Sequence, residues 1–503
     1  MPIEPARATL GRAVPSTSAS LMNNLLEWLL IATVVGSTLA FGGVQPLTYS
    51  LVEVTLFFAF FALLWHQAQE GKIEIRLSIW PVLFALWVLL QLIPLPSSLI
   101  ERLSPARFAG PGAGGRAVAP LWATLSIYPH DTWLSWIKFL AYLSAFVLAV
   151  HVFDSRRRKS TLVKALICLA VFEAAYGIIQ YLSGWQKIFT YTKQYYLEEA
   201  SGTYINHNHF AGFLELTLPF VMASVFYFFQ MWMDERRRRR SASSPTRRAS
   251  AGIQCLLYVF LLLILVVAVI FSRSRGGILA TAFTVFVLAV LAQFRARRKA
   301  WLVGLSIFLL IAVAYGLWIG LDPVLGRFEQ MRGPQYFQFE GRLSFWKDSM
   351  GLIWQYPLTG VGLGDFEIGF RRFQTSWVTY TVDHAHNDYV ELAAETGLVG
   401  VALLFLPMLY LLGKMIAAFL RDSRRYRPAI LLGCIGGTLA ILLHSITDFN
   451  LQVTSNALLL SIVLGIGYKA ACLEPADEMR QKAVGELQER PGAPARRAVL
   501  SPH

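Results

Sequence analysis

The sequence predicts an all-α protein that crosses a membrane about twelve times. Three observations lead there. The 503-residue chain is 55% hydrophobic and only 15% charged, whereas a water-soluble globular chain carries about 25% charged residues. Its apolar residues gather into runs that approach the ~20 residues a helix needs to cross the hydrocarbon core. The lysines and arginines behind the net charge of +14 fall in short clusters between those runs. That placement is better explained by membrane orientation than by the nucleic-acid reading a basic soluble chain would invite.

Residues 1–20, "MPIEPARATLGRAVPSTSAS", are polar and Pro/Ser-rich and read as a cytoplasmic tail. The run from Leu21 lacks a small-residue cleavage site and is followed by further spans, so it reads as a first membrane helix, not a removed leader. Spans are expected near 22–41, 47–65, 78–96, 132–153, 161–182, 210–232, 253–272, 276–294, 301–320, 396–420, 429–448 and 455–473. With this count "KIEIR" (72–76), "RRRK" (156–159), "RRRRR" (236–240), "RARRK" (295–299) and "RDSRRYR" (421–427) share one side. The loops at 42–46 and 449–454, on the other side, have no lysine or arginine. The positive-inside rule then puts the clusters and both termini in the cytoplasm. "RRRRRSASSPTRRAS" reads as a solvated stop-transfer loop, with anionic headgroups as its other possible contact. The membrane region is expected to cover 21–474, followed by a disordered cytoplasmic tail at 475–503. Cys168, Cys255, Cys434 and Cys472 lie in or beside apolar runs without metal-type spacing and read as small apolar helix residues.

The outer side keeps three sizeable loops, at 97–131, 183–209 and 321–395. The last is too long to be structureless in a compact protein, so it is expected to be functional and partly folded. Within it, "RLSFWKDSMGLIW" places Leu343, Trp346, Met350, Ile353 and Trp354 at helical spacing, as in an amphipathic helix at a membrane surface. "YPLTGVGLGDF" breaks that helix; its glycines read as turns, since no strand precedes them as a nucleotide-binding loop requires.

Polar groups are expensive near lipid and need a reason to be there. Here they crowd the outer side. His384, His386, Asn387, Asp388, Glu391 and Glu395 lie at the exit of the long loop. Asn206, His207, Asn208 and His209 lie at the entrance of another span, and Arg273 and Arg275 lie in the turn "SRSRGG". Asn387, Glu391 and Glu395 would share one helix face, while Asp388 with Glu391 could instead form a helix-start box. Arg273 and Arg275 are either snorkelling anchors or a phosphate contact; arginine's planar fork matches phosphate oxygens. "HAH" could bind zinc, but no third or fourth ligand stands nearby, so no metal is assigned.

Five stretches together resemble the O-antigen ligase and polymerase superfamily. They are "TLSIYPHDT" (124–132), "SGTYINHNHFAGFL" (201–214), "SRSRGGILA" (272–280), "GRLSFWKDSMGLIWQYPLTGVGLGDF" (341–366) and "HAHNDYVELAAETGLVG" (384–400), and "HSITDFNLQ" (444–452) is consistent with them. The resemblance implies many transmembrane helices and a large periplasmic loop capping a cavity. It implies transfer of a glycan from an undecaprenyl-diphosphate-linked donor to an acceptor hydroxyl, without a cofactor. The acceptor would be lipid A–core sugar in a ligase or a growing polysaccharide in a polymerase. The family's essential histidine matches His386 and its SRG arginine matches Arg275. A further family arginine has no counterpart in "NHNHFA", which leaves its place to His207 or to a distant arginine such as Arg342.

The chemistry agrees with the residue types. A departing diphosphate needs its charge stabilised, and an attacking sugar hydroxyl gains from a nearby base. His386 is expected to be that base and Arg275 the main diphosphate clamp, with Arg273 and Arg342 as further contacts. His384, Asn387, Glu391, His207, Asn208 and His209 are expected to line the site. Protein O-oligosaccharyl transfer is the same reaction with another acceptor. A polysaccharide or lipid transporter is the rival class. It would need ionisable groups deep in several helices, and Glu173 and Glu215 are the main internal acids.

Overall fold

The computed structural model describes residues 17–108, 120–237, 245–296, 337–375 and 381–479. It is an all-α polytopic bundle. The helices are α1 (Thr17–Leu39), α2 (Pro46–Gln69), α3 (Ile79–Leu92), α4 (Ser97–Leu103), α5 (Pro129–Val152), α6 (Arg156–Ser183), α7 (His207–Arg237), α8 (Pro245–Phe271), α9 (Arg275–Ala296), α10 (Phe337–Gln355), α11 (Phe366–Phe370), α12 (Asp388–Arg421), α13 (Tyr426–His444) and α14 (Thr454–Tyr468). Ten described helices are long and apolar enough to cross a membrane; α3, α4, α10 and α11 are not among them. Two antiparallel pairs of two-residue strands tie down loops: β1 (Leu95–Pro96) with β2 (Trp122–Ala123), and β3 (Lys187–Ile188) with β4 (Tyr191–Thr192).

The span expected at 78–96 is shorter than expected. α3 has 14 residues and gives way to extended backbone at Ile93, because Pro94 disfavours a helical residue before it. The span expected at 301–320 lies outside the described residues.

α7 and α13 form the centre, with 72% and 78% of their apolar windows buried against 22% for α8. Small residues make that centre possible. A Cβ on Gly433 would lie 2.4 Å from the Phe220 ring, and one on Gly436 would lie 2.5 Å from Pro219. Helices in lipid associate through such close backbone approach, since water does not drive them together.

The basic clusters, as far as they are described, gather at one end. There Arg157 and Arg158 meet the buried Glu27 at 2.9 and 3.4 Å. The last helix runs on to Met479, and its acidic turns pair with the first turn of α6 and with two loops: Lys159 with Glu474, Arg76 with Asp477 and Arg424 with Glu478. The opposite end carries the loops before α5, α7, α9, α12 and α14.

α10 confirms the helix expected in the long loop, but both of its faces are used. Phe345 and Leu352 are buried, while Leu343, Met350 and Trp354 remain exposed. α12 is two stretches joined at Gly397, where φ is 66° and ψ 179°, a conformation essentially restricted to glycine. A Cβ there would meet the Leu358 carbonyl at 2.1 Å. The turns of "YPLTGVGLGDF" pack on this break. Val361 and Gly362 donate backbone N–H groups to the carbonyls of Ala394 and Glu395, and the Gln91 amide bridges the Thr359 and Glu395 carbonyls at 2.7 and 2.9 Å.

Candidate functional site

One buried carboxylate organises the polar end. Asp448 follows the last turn of α13, with its side chain 1% exposed. His386 Nδ1 stands 3.6 Å from Asp448 Oδ1, His209 Nε2 3.8 Å from the same oxygen, and Arg342 Nη2 3.6 Å from Oδ2. These are ion contacts longer than hydrogen bonds, so they attract without fixing the rings. Burial alone would raise the Asp448 carboxyl, but His209, His386 and Arg342 overcome it and hold it well below the usual carboxylate range. Its Oδ1 also accepts the Phe449 N–H at 2.9 Å.

Phe449 sits among three histidines. Its ring stacks on His384 at 4.2 Å and meets His209 and His386 edgewise at 4.7 and 4.9 Å. The aromatic ring thus separates three imidazoles that share one acidic neighbourhood.

The "HAHNDYVEL" stretch divides its polar groups between two partners. His384 Nδ1 pairs with Glu391 Oε1 at 2.8 Å, and the Ala385 N–H donates to Glu391 Oε2 at 2.9 Å. Gln452 Nε2 donates to the first of these oxygens at 3.0 Å. Burial would depress His384, but Glu391, with Asp383 and Glu395 behind it, pushes it up to about 9. His386 instead turns to Asp448. It adopts φ of 50°, a left-handed conformation uncommon outside glycine, and strain of this kind concentrates at functional sites. Asn387 caps α12, accepting the N–H groups of Tyr389 and Val390 at 3.0 and 3.1 Å. The Glu391 carboxylate bonds outside the helix, so it does not form the helix-start box that is the alternative reading of Asp388 and Glu391.

Arg275 opens α9, in a turn that touches the Asp448 segment. A Cβ on Gly276 would lie 2.2 Å from Thr447 Oγ1 and 2.9 Å from the His444 ring. Arg342 donates to the Thr447 carbonyl at 2.7 Å. Arg275 and Arg342 therefore flank one short turn, residues 444–448. Behind it His444 meets Glu215 at 3.1 Å.

The structure separates Arg273 from this group. Its guanidinium donates to Glu198 Oε2 at 3.0 Å and lies over the Tyr181 ring, 5.5 Å from the centroid. His207 Nδ1 is 2.6 Å from the Ser272 carbonyl oxygen, which ties α7 to the same turn. Asn208 is buried one residue before His209, and its N–H donates to Asn206 Oδ1 at 2.9 Å.

Asp448 is the residue missing from the sequence-based site. Its signal was the lone acid of "HSITDFNLQ", the stretch that is consistent with the other five. Among the described residues no set of three or more His, Cys, Asp or Glu side chains is arranged to hold a metal.

A groove of about 300 Å³ is lined by Asp388, Glu395 and Gln452 of the polar end and by apolar residues such as Phe139, Met408 and Tyr468. It runs alongside α5, α12 and α14, and its walls are mostly apolar.

The model of a family described as O-antigen ligase matches residues 260–405. The exopolysaccharide production protein ExoQ of Rhizobium meliloti (strain 1021) is 22% identical over 312 residues, which cover 59% of this chain and 63% of that relative. The matched part thus spans less than two thirds of the relative's length. The family match stops short of Asp448 but takes in Arg275, Arg342, His386 and Glu391. Across the segment that carries most of its polar site, the chain matches the O-antigen ligase family, the resemblance its motifs predict.

Proposed function

We propose that the protein transfers a glycan from an undecaprenyl-diphosphate carrier to an acceptor hydroxyl at the periplasmic face of the inner membrane. One observation carries this reading: His386 and Arg342 meet a buried carboxylate, and the turn that bears Arg275 packs against the same segment, beside an apolar groove. The groove suits part of a polyprenyl chain, and the polar end suits its headgroup. The family match and the name of the relative support a role in polysaccharide biosynthesis.

The residues divide the reaction as follows. Asp448 faces His386 Nδ1, which leaves Nε2 for the acceptor hydroxyl. The hydroxyl oxygen bonds to the anomeric carbon as its proton passes to Nε2. The bond from that carbon to the diphosphate breaks, and the electron pair leaves with the diphosphate. Arg275 and Arg342 receive the charge that develops there. Asp448 stabilises the imidazolium while it lasts. Glu391 holds the His384 ring and the Ala385 N–H and so sets where His386 stands. Arg273 secures a neighbouring loop instead of clamping diphosphate.

The relative's name favours a growing exopolysaccharide as acceptor over lipid A–core sugar, because export of a free polymer requires chain extension. Purified protein given a diphosphate-linked oligosaccharide and each acceptor separates the two. His386→Ala should abolish transfer yet keep donor binding, and Arg275→Ala should weaken both. Near-normal turnover by His386→Ala would overturn the mechanism. Chelators should leave transfer intact; loss with chelator and recovery with zinc would replace it with a metal-assisted one.

A further inference from the structure

The loop between β4 and α7 holds an aromatic side chain that the proposed chemistry does not use. Tyr196 has φ of 55°. A bulky residue in that conformation is an outlier that its surroundings must enforce. They do so from both sides. Lys193 Nζ donates to the Glu199 carbonyl at 3.0 Å, and the Ala200 N–H donates to the Phe271 carbonyl at 3.0 Å. The Gln186 amide donates to the Leu197 carbonyl, and Arg273 holds Glu198 at 3.0 Å. Four anchors therefore surround one strained residue.

The strained loop sets the ring against the start of α7. Tyr196 packs on His207 with ring centres 4.7 Å apart, yet it stays 37% exposed. Burial raises its phenol, and Asp448, Arg342, Glu199 and Asp383 are its charged neighbours. These include two members of the cluster around His386. An aromatic face, partly wet, packed on His207 and felt electrostatically by acidic and basic groups, has the composition of a sugar subsite. The C–H face of a pyranose can cover such a ring while its hydroxyls bond to polar neighbours.

We propose that Tyr196 is the stacking platform for a pyranose ring next to the reacting one, and a positioning residue for the transfer. The inference rests on the glycan-transfer reading. It adds that specificity for the sugar comes partly from the loop that leads into α7. It also gives Arg273 a purpose, since that arginine holds Glu198 two residues beyond the platform.

The test uses full-length protein in detergent and oligosaccharides released by mild acid from the producing cell's own surface polysaccharide. Binding is followed by saturation-transfer NMR, and transfer by steady-state kinetics. Tyr196→Phe should bind and turn over like the wild type. Tyr196→Ala should lose about tenfold in oligosaccharide affinity and raise KM by a similar factor while kcat changes little. Tyr196→Trp should recover most of the loss. His386→Ala should bind the oligosaccharide normally. Equal affinity in Tyr196→Ala, failure of Tyr196→Phe to rescue, or no binding by the wild type would each overturn the proposal. Binding that depends on Tyr196, without transfer from a lipid-diphosphate donor, would sustain the platform and remove the proposed reaction.

Discussion

Replacing Asp448 with asparagine isolates the charge at the centre of the site. Asparagine keeps the volume and can still accept the Phe449 N–H, which now reaches Oδ1 at 2.9 Å. What disappears is the anion 3.6 Å from His386 Nδ1. Two unit charges ~4 Å apart attract by about 4 kcal/mol at an effective permittivity of ~20. In the resting site that attraction is shared with Arg342, which keeps its bond to the Thr447 carbonyl. The imidazolium that forms during transfer depends on the carboxylate far more. Asp448→Asn should therefore lower kcat by roughly a hundred- to a thousandfold, about 3–4 kcal/mol of transition-state stabilisation. Donor affinity should change by no more than a few-fold. Single-turnover transfer at saturating donor measures the first quantity, and titration with non-transferable lipid diphosphate measures the second. Size-exclusion and thermal melting establish that the variant is folded. A rate within about fivefold of wild type, or a loss confined to donor binding, would refute the assignment.

Gly276→Ala should push the Arg275 turn away from Thr447 and His444, costing about 1–3 kcal/mol of stability and much of the transfer rate; a thermal melt and an activity assay check both, and an unchanged protein would show that the turn has room. His384 is raised above the ~6.5 of an unfolded chain, to about 9, so its stabilising contact with Glu391 is complete below that lower value and fades as pH rises through the higher one. Hydrogen exchange at the Ala385 amide should accordingly lose protection between about pH 7.5 and 9.5 after correction for intrinsic rates, and the step should vanish in Glu391→Gln; pH-independent protection would contradict it. In a background free of the four native cysteines, Asp383→Cys should react with a membrane-impermeant reagent on intact cells and Lys72→Cys should not; the reverse pattern would invert the topology and remove the periplasmic mechanism.

Much of the bundle was legible because lipid imposes a simple grammar of apolar length and flanking charge. The basic clusters marked one end correctly wherever they are described. Boundaries failed where local chemistry outweighed hydropathy. α12 begins at Asp388, where a helix starting near Asn387 was expected, but the apolar span placed at 396–420 covers only its later turns; Asn387 caps the helix and its polar first turns are sheltered by protein. α3 ends early because of one proline. Within the site, Arg273 and Arg275 looked alike in "SRSRGG". The turn between α8 and α9 separates them, sending one to Glu198 and keeping the other beside residues 444–448. Asp448 was hidden for another reason. Its partners His209, Arg342 and His386 lie far away in the chain, and no spacing rule links an isolated acid to them.

The break at Gly397 has a mechanical consequence. Residues 388–396 carry Asp388 and Glu391 and are bound sideways by the turns at 358–362 and by Gln91, whereas 398–421 form the part of α12 that meets lipid. A continuous rod would lever its outer end whenever a thicker or thinner bilayer altered the tilt of its inner part. The glycine break sets the two segments on separate axes, so the upper one can be held by its neighbours in a direction that the lower one does not dictate. Glu391, and with it His384 and Ala385, thus takes its position from packed protein and not from the tilt of a lipid-facing rod.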